Sequence, residues 1–166
     1  MKRYRLICCA AAVMLLTCGC GRDKKASLGF EKRLEAAALA ANYRDTESYL
    51  SCWLPQEKER YINSEDNNKD ILEHAFAGTD FTGRLVFKMT DSTELTEEQT
   101  VSLQEKAEEL YGTRLTFTKA RRANVEIRLN SSKEVLTDAR EMVLVRYEGS
   151  WYIYGSVIDS FSFAGS

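Results

Sequence analysis

The sequence predicts an α+β protein, with N-terminal helices packed on a mainly antiparallel sheet of about four strands. Apolar residues recur at helical spacing in the first half of the chain and alternate as in strands in the last third. A glycine turn between two strand patterns near the end indicates a hairpin. Helices that precede such a sheet are expected to bury their apolar faces against one side of it.

Four helices are predicted between Leu28 and Gly78. The first has an alanine-rich centre that is apolar nearly all round, which indicates cover on more than one side. Asp45 is placed to cap a second helix that carries Tyr49, Leu50 and Trp53. Pro55 suits the first turn of a third helix that extends to Ile62. The fourth helix ends at Gly78 and carries an apolar stripe formed by Ile71, Leu72, Ala75 and Phe76.

The period changes after Thr82, where alternating apolar residues predict the first strand. Thr96 and Gln99 then form a capping-box pattern that opens a further helix, which Gly112 closes. The many glutamates of this helix indicate a solvated face.

Three further strands are predicted over Ala123–Leu129, Met142–Tyr147 and Trp151–Ile158, with a tight turn at Gly149. The continuous apolar run that opens the second of them predicts a central strand covered on both faces. Because strand side chains alternate, Trp151 is expected in the core and Tyr152 on the opposite face. The sequence contains no internal repeat and no second domain boundary.

The first nineteen residues predict a secretory signal. Lys2, Arg3 and Arg5 form a positive start, and an apolar run follows from Leu6 to Leu16. Such a run is too short for a permanent transmembrane helix, which needs about 20 residues. An N-terminal anchor that is never cleaved is the alternative.

The exit from this run, Leu16-Thr17-Cys18-Gly19-Cys20-Gly21, resembles the lipobox of bacterial lipoproteins. The resemblance implies cleavage before Cys20 and diacylation of its thiol, with Cys18 as the alternative acylated residue. Two acyl chains hold a protein stably at a membrane. The expected location is therefore the extracytoplasmic face of the cell membrane, with the lipid as the membrane contact.

This interpretation divides the chain into a signal (1–19), a polar tether (20–27) and one α+β domain (28–166). The mature chain has 147 residues, and the signal removes three of the 23 basic residues and none of the 25 acidic ones. The resulting net charge of −5 disfavours nucleic acid as a partner. With Cys20 acylated, Cys52 has no cysteine left to pair with in the same chain.

The hairpin Val143–Ile153, in which a glycine turn is followed at once by Trp151 and Tyr152, is similar to the terminal hairpin of the nuclear-transport-factor-like (cystatin-like) fold. The opening helix with Asn42-Tyr43-Arg44-Asp45 resembles small bacterial lipoproteins of this type. The resemblance covers residues 28–160 and implies a curved, cone-like sheet around helices. In that fold the open end of the cone serves either binding or catalysis, so the fold does not choose between them.

Candidate chemistry is sparse. His74 could act as a general base tuned by Asp70 one turn earlier, with an exposed or half-packed helix side chain as the alternative. Nothing in the sequence places Cys52 beside His74, and we predict no catalytic residue, no metal site and no cofactor. Arg121 and Arg122 are candidates for an anion clamp, with two solvated strand residues as the alternative. Four aromatic residues are candidates to line a pocket for an apolar ligand or, alternatively, to form core: Trp53, Phe76, Phe87 and Trp151.

These observations favour a non-catalytic binding or accessory module whose partner is an envelope protein, a wall component or a small apolar molecule. The alternative is an isomerase- or dehydratase-like enzyme that uses an acid or His74 inside the cone. The sequence does not indicate an oligomeric state.

Overall fold

A computed structural model of the chain describes residues 29–64, 71–72, 83–130 and 134–158. Its elements follow in the order α1 (Phe30–Asn42), α2 (Thr46–Leu50), α3 (Pro55–Ile62), β1 (Arg84–Glu94), α4 (Glu97–Tyr111), β2 (Phe117–Asn130), β3 (Val135–Tyr147) and β4 (Ser150–Tyr154). This order confirms the predicted α+β class. The signal, the tether and all but residues 71 and 72 of the predicted fourth-helix stripe lie outside the described residues.

Helices α2, α3 and α4 begin where local chemistry predicts, but α2 ends at Leu50, before Trp53, which corrects the prediction. The reason is that the backbone on either side of Trp53 bonds to Ile153 instead of continuing the helix. The Asp45 carboxylate accepts a hydrogen bond from the Ser48 N–H at 3.0 Å and caps α2. Pro55 is the first residue of α3. Thr96 and Gln99 form the complete capping box of α4. That helix ends at Gly112, whose φ of 68° is a conformation that glycine adopts without strain.

The four strands form one antiparallel sheet in the order β1-β2-β3-β4. Shifts in register between Met89 and Asp91, and between Phe117 and Lys119, mark irregularities of the kind that bend and twist a sheet. β3 lies between two neighbours, as its apolar run predicts. Apolar side chains cover both of its faces there, since Leu144 and Val145 belong to different core clusters.

Two strands are longer than predicted, and one is shorter. β2 begins at Phe117 and β3 at Val135, because backbone pairing between them continues through segments whose side chains are mostly polar. β4 ends at Tyr154. Beyond it Gly155 has a φ of 131°, and the Val157 N–H donates to the Glu57 carboxylate instead of to a strand.

The helices do not all pack on one side of the sheet, which corrects the expectation from the sequence. One face, here called the first face, carries α1 and α2. The second face carries α4, whose Ala107 packs with Ala120 and Val145. The reason is that both odd-numbered and even-numbered residues are apolar near the start of β2 and the end of β3. Apolar side chains therefore lie on both faces of the sheet, and both faces require cover. The remaining residues of α4 are exposed or half-buried, which confirms its solvated face.

Trp151 and Tyr152 point to opposite faces, as alternation predicts. Trp151 packs in the first-face core, with its ring edge-on to that of Phe30 at a centroid distance of 5.4 Å. Tyr152 packs beside the second-face core.

Asn42 joins α1 to β1, the outer strand of the described sheet. Its Nδ2 donates to the Leu85 carbonyl at 2.8 Å, and its Oδ1 accepts from the Leu85 N–H at 2.7 Å. The side-chain amide thereby satisfies backbone groups that a neighbouring strand would otherwise satisfy. Arg44, with a φ of 55°, donates to the Leu72 carbonyl at 3.1 Å. Residues 42–44 therefore link the end of α1 to β1 and to Leu72.

Candidate functional site

Three of the four candidate pocket aromatics belong to one apolar cluster, the first-face core. Trp53 is 3% exposed, Phe87 is 6% exposed and Trp151 is 9% exposed. Phe76 lies outside the described residues. Side chains with so little exposed surface offer little area for direct contact with a ligand, and their burial contributes to stability instead.

Cys52 is a buried thiol. Its Sγ donates to the Ser48 carbonyl at 3.5 Å. Burial raises the pKa of the Cys52 thiol, and the nearby Arg33 guanidinium opposes this shift only in part. A thiol held protonated is a weak nucleophile. His74, its hypothetical partner, lies outside the described residues.

Arg121 and Arg122 do not form a clamp. As consecutive strand residues they point to opposite faces. Arg121 donates to Ser92 Oγ at 3.1 Å and lies over the Phe30 ring, with its Cζ 4.7 Å from the ring centroid. Arg122 pairs with Glu141 at 3.2 Å. The two guanidinium groups therefore do not converge on one anion. No group of three acidic, histidine or cysteine residues that could hold a metal ion occurs in the described parts of the chain.

Glu57 is a functional candidate that the sequence does not single out. Its side chain is completely buried, and it is the one buried charged residue in the part of the chain that the structure describes. Arg60 donates to both carboxylate oxygens, at 2.8 Å each, and the Val157 N–H donates to Oε1 at 2.8 Å. Tyr111 Oη lies 3.4 Å from Oε2. The Glu-Arg spacing of three residues on a helix is visible in the sequence, but the burial is not.

This carboxylate is saturated with donors and therefore suits a structural role. Two guanidinium N–H groups, a backbone N–H and a phenol surround its two oxygens. A general base needs a lone pair directed at a substrate proton. Glu57 instead joins α3 to α4 and to the segment after β4.

We expect the stability that the neutral Tyr111 phenol contributes to be lost at alkaline pH. Burial, and secondly the negative charge of Glu57, raise the pKa of the Tyr111 phenol. An unfolded tyrosine loses its proton near pH 10, whereas the folded protein keeps it. The stability that this phenol contributes is therefore complete below about pH 10 and is lost as the pH rises further.

Urea unfolding at about pH 8 and about pH 11 measures this dependence, since the two values lie on either side of the tyrosine pKa. The Tyr111→Phe variant is the control, because it retains the ring and cannot ionise. We expect a smaller loss of stability between the two pH values in the variant than in the wild type. Equal losses would contradict the assignment.

An open cavity of about 310 Å³ lies where β4 ends. Its wall combines strand, turn and aromatic residues: Trp53, Arg140, Glu141, Met142, Ile153, Tyr154, Gly155 and Ser156. The buried indole N–H of Trp53 has no hydrogen-bond acceptor among the described residues. The cavity joins buried core residues to a charged rim at Arg140 and Glu141.

No protein-family model matches the chain. No curated protein matches it either. The chain is similar to the crystal structure of an NTF-2 like protein of unknown function from Shewanella oneidensis MR-1. The identity is 13%, 74% of this chain and 89% of that chain are covered, and the TM-score is 0.46. The α+β assignment depends on the elements described above and not on this likeness. Among the described residues, no helix has the length and apolar character needed to span a bilayer.

Proposed function

We propose that the protein is a lipid-anchored module on the extracytoplasmic face of the cell membrane, and that it binds a partner without catalysing a reaction. The lipobox-like segment Gly19-Cys20 supports the anchor. The observation that carries the non-catalytic part of the proposal is the saturated state of Glu57, the buried carboxylate of the described residues. An acid held in this way is unsuited to proton transfer.

The partner that we propose is a protein or wall component of the cell envelope. A small apolar ligand would need apolar surface that it can reach, and Trp53, Phe87 and Trp151 are almost fully covered. The cavity at the end of β4 is open to solvent and has a charged rim at Arg140 and Glu141. These features favour a partner with polar groups around an apolar contact.

Anchoring is tested by labelling cells with a fatty-acid analogue. We expect Cys20→Ala to abolish incorporation of the label and to move the protein out of the membrane fraction, since Cys20 carries the lipid in this proposal. Cys18→Ala is the matched control and is expected to keep the label. Labelling that persists in Cys20→Ala and disappears in Cys18→Ala would assign the lipid to Cys18. An unlabelled wild type would contradict the anchor.

The binding role is tested by site-specific photo-cross-linking in cells. A cross-linker at Glu141, on the cavity rim, is expected to form a defined adduct. The same group at Glu105, on the exposed part of α4, serves as the control position. Turnover by the purified protein that is lost in a folded His74→Ala variant would contradict the binding role and favour an isomerase- or dehydratase-like enzyme.

A further inference from the structure

The cavity at the end of β4 has an unpaired hydrogen-bond donor in its wall. Trp53 lines this cavity and is 3% exposed, and its indole N–H has no acceptor among the described residues. A buried donor without an acceptor costs about 1–3 kcal/mol. A phenylalanine ring would pack without this cost, so packing alone does not require an indole here. An acceptor that a ligand brings into the cavity would remove the cost.

Backbone hydrogen bonds hold Trp53 at this position. The residues on either side of it bond to Ile153 of β4. The Ile153 N–H donates to the Cys52 carbonyl at 2.9 Å, and the Leu54 N–H donates to the Ile153 carbonyl at 3.3 Å. The indole also packs beside the Tyr49 ring, at a centroid distance of 6.2 Å. Trp53 is therefore fixed between α2 and β4, and the missing acceptor has to come to the indole.

The far wall of the cavity is held by the segment that follows β4. Gly155 and Ser156 belong to this wall. Gly155 has a φ of 131°, which glycine adopts without strain, and pairing with β3 ends just before it, at Tyr154. Two residues after Gly155, the Val157 N–H donates to the buried Glu57 carboxylate at 2.8 Å. A ligand therefore meets a largely preformed cavity and spends little free energy on ordering it.

The charges at the rim of the cavity are balanced. Glu141 pairs with Arg122 at 3.2 Å, and Arg140 pairs with Asp138 at 2.6 Å. Two positive and two negative side chains therefore lie close together and sum to zero. A net charge on the ligand would gain little from such a rim, which favours an uncharged ligand.

The polar groups of the wall require a ligand that both donates and accepts hydrogen bonds. The Trp53 indole only donates, the Glu141 carboxylate only accepts, and the Ser156 hydroxyl does either. The hydroxyl groups of a sugar donate and accept in the same way. The cavity volume of about 310 Å³ equals that of roughly ten water molecules in the liquid, which leaves room for one sugar ring.

We propose that the cavity at the end of β4 binds one uncharged sugar unit of a cell-wall glycan, with an oxygen of that unit accepting from the Trp53 indole N–H. This inference rests on the proposed binding function and narrows its partner to the wall component. The N–H is covered in the free protein, so the entering sugar must displace a neighbouring side chain. Met142 lines the same cavity, and its unbranched, flexible side chain suits such a movement.

The indole N–H signals in NMR spectra provide a direct readout, because the chain contains only two tryptophans. The probes are the uncharged tetrasaccharides of N-acetylglucosamine and of glucose. They are added to the full-length protein in micelles of a detergent that has no sugar headgroup. We expect at least one probe to move the Trp53 indole signal downfield in a saturable manner and to leave the Trp151 signal in place.

Two matched variants test the role of the indole. Trp53→Phe removes the donor and retains an aromatic ring, and we expect it to weaken binding of the tetrasaccharide roughly threefold to tenfold. Trp151→Phe is the control, because Trp151 packs in the first-face core and lies outside the cavity wall. It is expected to bind as the wild type does. Each variant also lacks one indole signal, which assigns the two signals.

A variant of the far wall keeps the test decisive if Trp53→Phe disturbs the fold. Ser156→Leu narrows the cavity from the side opposite to β3 and leaves the indole in place. We expect it to abolish the shift of the Trp53 signal on addition of the tetrasaccharide.

Three results would overturn the inference. They are a Trp53 signal that neither tetrasaccharide moves, a folded Trp53→Phe that binds as tightly as the wild type, and tighter binding of a galacturonic acid tetramer, which would assign the site to an anion. If the lipid label persists and the Glu141 cross-link leads to a protein while neither sugar binds, the proposed function stands and this inference fails.

Discussion

Replacing Glu57 by alanine is expected to lower the free energy of unfolding by about 1–3 kcal/mol, because it leaves a buried backbone donor without its acceptor. The substitution deprives Arg60 of both carboxylate oxygens, and it deprives the Val157 N–H of its acceptor. Arg60 retains access to water, since 37% of its side chain is exposed. The orphaned backbone N–H of Val157 has less access, because Val157 is buried.

Urea-induced unfolding at neutral pH measures the effect. Glu59→Ala is the matched control, since Glu59 lies on the same helix and its side chain is exposed. We expect the control to change stability by no more than about 0.5 kcal/mol. Similar losses in the two variants would show that the Glu57 network contributes little to stability.

Replacing Trp151 by alanine is also expected to cost about 3–5 kcal/mol, the usual loss for removing a buried large aromatic side chain. The indole is 9% exposed and contacts the Phe30 ring edge-on. Its removal leaves a cavity between α1 and β4, and the ring pair contributes further stability of about 0.5–1.5 kcal/mol. The side chain thus connects the first helix to the last strand.

Thermal and urea unfolding of Trp151→Ala are compared with those of Tyr43→Ala, which removes an aromatic side chain that is 76% exposed. We expect the Tyr43 variant to remain within about 0.5 kcal/mol of the wild type. A Trp151 variant as stable as the Tyr43 variant would mean that the indole is not a core residue.

Local chemistry predicts the starts of α2, α3 and α4 because each capping signal acts within one turn of helix. The bounds of α3 from Pro55 to Ile62, the Asp45 cap and the Thr96–Gln99 box depend on neighbours at most four residues away. The strand centres are predicted by alternation for the same reason. The strand ends are not, because β3 continues through the polar segment before Met142 by backbone pairing with β2.

The candidate site, in contrast to the helix starts, depends more on tertiary structure than on local sequence. Side-chain type indicates that Trp53, Phe87 and Trp151 are suited to core or pocket, and burial places them in the core. Nothing in the sequence indicates that Glu57 is buried, because its donors Tyr111 and Val157 are 54 and 100 residues away along the chain. The pairing of the Arg121 and Arg122 side chains with separate acids on opposite faces likewise depends on the sheet.

The sequence by itself determines the α+β class and the starts of α2, α3 and α4, because periodicity and capping are properties of neighbouring residues. Tertiary structure alone decides that α4 covers the second face, that Glu57 is saturated with donors, and that β4 pairs with Val143–Tyr147. Each of these depends on contacts between residues far apart in the chain. Such contacts are selected by the total burial and backbone pairing that the assembled sheet provides, and a local pattern does not carry that information.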